Sequence, residues 1–189
     1  MNTPAHLLIG AAVFARPARG AVLCAALIGS LLPDLSLYVM AGVSLFILNI
    51  PEQVVFDQLY FSPAWQTVFA IDNSFVLWGC ALGLALWRGW RLLTIGASAG
   101  LLHLAMDFFL HAGDGRPQFW PFSTWIFDSP VSYWDSTHHA MWVAPISMII
   151  CVGAYVILWQ RGLLVPSKLF FALLLAAELW VAWQWVLYF

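Results

Sequence analysis

Apolar residues run along this chain in long stretches separated by short polar connections, and the stretch lengths decide the fold class. A helix needs about 20 apolar residues to cross the hydrocarbon layer of a bilayer. Residues 21–48, 66–87, 92–111, 138–160 and 167–188 reach that scale, whereas residues 4–15 are too few to cross alone. Open strands leave backbone groups unpaired in lipid, so each stretch reads as a helix. Pro33-Asp34 falls inside the second stretch. Proline removes a backbone donor and restricts the residue before it, which predicts a kink or break there. The pattern thus predicts an all-α integral membrane protein: a bundle of about five to six transmembrane or partly inserted helices, broken at Pro33-Asp34. Residues 1–189 form one membrane domain, with longer loops at about 49–65 and 112–137 and short turns at about 16–20, 88–91 and 161–167. The first loop holds an amphipathic piece at 51–61.

Composition agrees. Hydrophobic residues make up 63% of the chain and charged residues 8%, against about 45–50% and about 25% in ordinary soluble domains. So few charges cannot cover a soluble globule. A net charge of −2 leaves no basic face for nucleic acid. Cys24, Cys80 and Cys151 each lie in an apolar run and imply no disulfide framework. Arg16 and Arg19 follow the first apolar stretch rather than precede it, the reverse of a signal peptide, so this stretch is expected to stay as a short helix.

Arg16, Arg19, Arg88, Arg91, Arg161 and Lys168, six of the seven basic residues, sit in or beside three alternate turns. The positive-inside rule puts those turns in the cytoplasm and both termini and the longer loops outside, as in a bacterial inner membrane. Arg116, in the second outer loop, is the one exception. Tryptophans near both ends of the stretches read as an aromatic belt.

On that topology all five histidines and eight of the nine acids belong to the outer half; Glu178, in the middle of the last stretch, is ambiguous. His103, Asp107 and His111 are spaced i, i+4, i+8 and share one helix face. An imidazole nitrogen and a carboxylate oxygen at that spacing can grip one divalent cation, and ionisable groups inside a bilayer are costly and usually functional. The plain alternative is an interhelical hydrogen-bonded pair. Asp34, at the expected break, is a candidate ligand or an N-cap. His6 lies at matching depth. Asp72, in Asp72-Asn73-Ser74, is a fifth candidate ligand or a cap. His138 and His139 face different ways on a helix, so at most one enters a shared site.

Three short elements occur in order: the early His6, Gly29-Ser30-Leu31-Leu32-Pro33-Asp34, and His103-Leu104-Ala105-Met106-Asp107, with Trp120-Pro121-Phe122-Ser123 downstream. Together they resemble the LexA-regulated, YdjM-like membrane-bound metal-dependent hydrolases over roughly the first two thirds of the chain. Where that family carries Thr-His-Ser, this chain has Asp72-Asn73-Ser74, so the resemblance implies Asp72 or Asn73 in place of a histidine ligand. The order of ligands is similar, more remotely, to the zinc-dependent phospholipase C and nuclease pattern. These resemblances imply a divalent metal, zinc, held by His6, Asp34, His103 and Asp107, with His111 and His138 near a second ion. The second-site His-x-x-x-Glu is absent, since Trp142 stands four residues after His138.

The expected function is a membrane-bound metal-dependent hydrolase of an ester or phosphoester, possible lipid-linked substrates included, at a site open to the outer face. Asp72, His111 or His138 is expected as general base or supporting partner. A non-enzymatic metal- or ion-binding or transport protein, a haem carrier using His103 and His138, and a scaffold are the alternatives. The expected partners are the lipid bilayer and that substrate, with no nucleic acid.

Overall fold

The computed structural model describes residues 1–188. Among them there is no strand, and the chain folds as eight helices: α1 Thr3–Phe14, α2 Gly20–Gly42, α3 Glu52–Val54, α4 Pro63–Asp72, α5 Phe75–Arg88, α6 Arg91–Leu110, α7 Ala140–Gln160 and α8 Val165–Tyr188. Among the described residues, five spans are long and apolar enough to cross a membrane: Gly20–Ile47, Pro63–Arg88, Arg91–Leu110, Ala140–Gln160 and Val165–Trp185. The protein is an all-helical membrane protein, as the apolar pattern predicts.

Packing follows the logic of a lipid solvent. Small residues fill the interior, Ala5, Ala11, Ala26, Ala97 and Ala99 among them, while Phe46, Ile149 and Leu173 are largely exposed. Without a hydrophobic drive between helices, close backbone approach supplies the contact energy, and small residues permit it. One close backbone approach joins α2 to α6, where a Cβ added to Gly29 would run into the backbone of Gly96. A Cβ on Gly10 would likewise overlap the side chain of Ser30, which sets α1 against α2. The basic turns gather at one end: Arg161, after α7, donates a hydrogen bond to the carbonyl of Ala12 near the end of α1.

One expectation is corrected. Helix α2 runs through Pro33 without interruption, so there is no break at Pro33-Asp34. Pro33 has no N–H to offer the Gly29 carbonyl one turn earlier, yet the helix continues on the bonds that remain. His103 Nδ1 lies 2.7 Å from the carbonyl oxygen of Ser30, and Asn73 Nδ2 donates to the carbonyl of Pro33 at 3.4 Å. The interruption falls instead at Asn73-Ser74, between α4 and α5, where the Ser74 hydroxyl accepts from the backbone N–H of Leu77. Two smaller differences follow from local capping. His138 belongs to a single 3₁₀ turn, Ser136–His138, capped by Asp135, and α7 starts only after His139 in the left-handed region (φ 66°). The amphipathic piece at 51–61 is a short helix that widens into a π-helical turn over Val55–Leu59.

Candidate metal centre

Helix α6 presents His103 and Asp107 one turn apart, both buried, and α2 crosses it at Gly29 and Gly96 closely enough to bring Asp34 to the same point. His103 Nε2 lies 3.1 Å from Asp107 Oδ2 and 3.5 Å from Asp34 Oδ1. From α1, His6 places Nε2 2.9 Å from Asp107 Oδ1, and its ring stacks on that of His103 with 3.6 Å between centroids. Ligand atoms of His6, His103 and Asp107 all fall within 4.8 Å of one another. Three of the four residues named from the sequence as metal ligands, His6, His103 and Asp107, thus meet in one cluster from two helices, and Asp34 of α2 lies beside it, 3.5 Å from His103 Nε2.

The hydrogen bonding around His103 defines its chemistry. A carbonyl oxygen only accepts, so the contact with Ser30 puts a proton on Nδ1. In the neutral ring Nε2 then carries a lone pair, and that lone pair faces two carboxylates. Such an arrangement is repulsive unless a proton or a cation sits between them. A histidine oriented through Nδ1–H to a backbone carbonyl, with Nε2 free to donate electrons, is the usual posture of a metal-bound imidazole. Asp34 is supported in the same way, since Thr3 Oγ1 donates to its Oδ2 at 2.5 Å. The α-amino group of Met1 donates to Asp107 Oδ1 at 2.5 Å, and the Met1 carbonyl lies 3.1 Å from His6 Nε2.

A cavity of about 370 Å³ opens beside the cluster, at the end of the bundle opposite the basic turns. Asp34, Asp107, His111, Asp114, Arg116 and Tyr133 are among the residues that line it. His111, just beyond α6, sits 3.5 Å from Asp107 Oδ1 and 3.0 Å from Asp114 Oδ2. Burial pulls its imidazole towards neutrality, but the two carboxylates outweigh that and hold it above its ordinary value. Burial, then the charges of Asp107 and Asp114, pushes the Tyr133 phenol up, which keeps it a neutral hydroxyl.

The other two residues singled out from the sequence lie elsewhere. Asp72 does not line this cavity; its carbonyl accepts from Trp78 Nε1, and the cavity wall carries the next residue, Asn73. His138 pairs with Asp135 at 2.7 Å in the loop before α7 and is also outside the cavity wall. Sequence reasoning did not place Arg116 or Tyr133 in the site, and only the departure of Arg116 from the charge pattern marked it out. No protein-family model, no curated protein and no solved structure matches this chain.

Proposed function

We propose that the protein is a membrane-bound, zinc-type metal-dependent hydrolase acting on an ester or phosphoester, with His6, Asp34, His103 and Asp107 as the metal ligands. The observation that carries this reading is His103: its Nδ1 is committed to the Ser30 carbonyl, and its Nε2 faces Asp34 and Asp107 beside the stacked ring of His6. Two imidazoles and two carboxylates are the donor set that suits zinc. When bound, such a cation supplies Lewis-acid polarisation of the substrate oxygen and lowers the pKa of water.

The chain's own residues do the rest. The cavity gives a substrate access to the cluster, and His111 lies between Asp107 and Asp114 at the cavity wall. Thr3 fixes the orientation of Asp34, and Tyr133 offers a neutral hydroxyl. The resemblance to the YdjM-like hydrolases supports the same reading. So does the charge asymmetry, from which we infer a bacterial inner-membrane location with both termini and the site facing outward.

Elemental analysis of the purified protein tests the metal. Wild type is expected to carry stoichiometric zinc that His103→Ala and Asp107→Ala lose. A zinc-free wild type that takes up none on dialysis ends the hydrolase reading. Zinc without turnover across ester and phosphoester substrates identifies an ion-binding or transport protein instead.

A further inference from the structure

Arg116 is the one basic residue outside the three turns at the basic end of the bundle. The loop that carries it is pinned across α5: Gln118 accepts from the backbone N–H of Phe75 at 2.8 Å, and the Ser74 hydroxyl donates to the carbonyl of Trp120 at 2.5 Å. That anchoring sets the half-buried Arg116 in the wall of the 370 Å³ cavity. Its guanidinium carbon lies 4.4 Å from the ring centroid of Phe69 and 4.9 Å from that of Tyr60. It donates to the Tyr60 hydroxyl and, at 3.4 Å, to Gln66 Oε1.

Three carboxylates, those of Asp34, Asp107 and Asp114, line the same cavity, yet among the described residues none forms an ion pair with Arg116. A cation kept unneutralised beside acids, and fixed on an aromatic shelf, is arranged for an anion that comes from outside. The guanidinium has more N–H donors than these two contacts use, and their planar fork matches the oxygens of a phosphate. A neutral carboxylic ester brings no charged oxygen. A phosphoester brings one, into a cavity that Arg116 lines together with Asp34 and Asp107.

We infer that Arg116 is the anion-recognition residue of this cavity and that its ligand is a phosphoester, bound through its anionic phosphoryl oxygens. The assignment rests on the hydrolase reading for the role of the neighbouring cluster, but the anion site itself is measurable without metal or turnover.

The test is calorimetric titration of inorganic phosphate into the full-length, detergent-purified protein, with zinc content measured on the same samples. Wild type is expected to bind phosphate. Arg116→Gln should bind on the order of ten- to a hundredfold more weakly, the worth of lost hydrogen bonds to a charged group, with zinc content unchanged. Arg116→Lys, which keeps the charge but not the fork, should fall between them and report on the site if the glutamine variant does not fold. Equal affinity in all three proteins, or no phosphate binding by wild type, overturns the inference. If wild type lacks zinc, the hydrolase reading fails on its own, and phosphate titration of the metal-free proteins still decides the role of Arg116. Micelles carrying phosphatidic acid, compared with phosphatidylcholine micelles, then identify the source. Displacement of phosphate by phosphatidic acid marks a lipid headgroup; displacement only by soluble p-nitrophenyl phosphate marks a water-soluble phosphoester. Either outcome supports the site.

Discussion

The imidazole rings of His6 and His103 lie face to face, 3.6 Å between centroids and 10° from parallel. Two stacked imidazolium ions at that separation would repel strongly in a buried setting. The pair is therefore built for at least one neutral ring, which is also the state that binds a metal. Protons and metal compete for the same nitrogens. Zinc retained by the protein at neutral pH should be released as the buffer is made acidic, and return on neutralisation. Dialysis across a pH series with elemental analysis checks this, and pH-independent retention would mean that the histidines are not ligands.

Thr3 acts on the cluster through Asp34 rather than by touching it. Removing the hydroxyl in Thr3→Val deprives Asp34 Oδ2 of its 2.5 Å donor while preserving side-chain shape. Groups that orient metal ligands are worth about ten- to a hundredfold in affinity. Competition with a chromophoric chelator should show a loss of that size, with thermal stability close to wild type.

The Gly29–Gly96 crossing should be intolerant of a single methyl group. Gly29→Ala would force backbone against backbone, and overpacking of this kind costs about 1–3 kcal/mol. A Cβ on Gly79 meets nothing within 4 Å, so Gly79→Ala should stay within about 1 kcal/mol of wild type, on the stabilising side. Thermal unfolding in detergent compares the two. Gly29→Ala should also lower metal affinity, because it moves Asp34 away from His103.

Within the cavity, His111 and the residues outside the wall should separate cleanly. His111→Ala is expected to keep zinc and to lose turnover by about 10²–10⁴-fold, the range for a lost proton-transfer group. Asp72→Asn and His138→Ala should keep both zinc content and turnover. A zinc deficit in Asp72→Asn would bring that carboxylate back into the ligand set.

The turn before α7 offers a pH test away from the metal. Hydrogen bonds from Thr137, then from His138, hold the Asp135 carboxyl below its ordinary value of 3.8. A carboxyl lowered in the folded state stabilises above its unfolded value, and that contribution disappears as pH falls through the folded one. Order in Ser136–His138 should therefore persist from neutral pH to about 4 and be lost below it. The Thr137 amide donates to Asp135 Oδ1 at 2.8 Å, and hydrogen exchange at that amide reads the change. Asp135→Asn should flatten the pH dependence.

The membrane bundle was legible in the sequence because hydropathy and helix length are properties of single segments, independent of what packs against them. The pairing of His103 with Asp107 was legible for the same reason, since residues four apart share a helix face in any helix. What the sequence could not decide was the rotation and depth of one helix against another. Those are set by the Gly29–Gly96 approach and by the fit of Gly10 against Ser30. That packing brings His6 and Asp34 to His103 while Asp72 and His138 stay outside the cavity wall. Helix α2 also continues through Pro33, and from outside it His103 and Asn73 reach the Ser30 and Pro33 carbonyls. Arg116 is the sharpest case: in the sequence it is only a charge on the wrong side of a rule, and only the tertiary structure seats it over Tyr60 and Phe69 in the wall of the site.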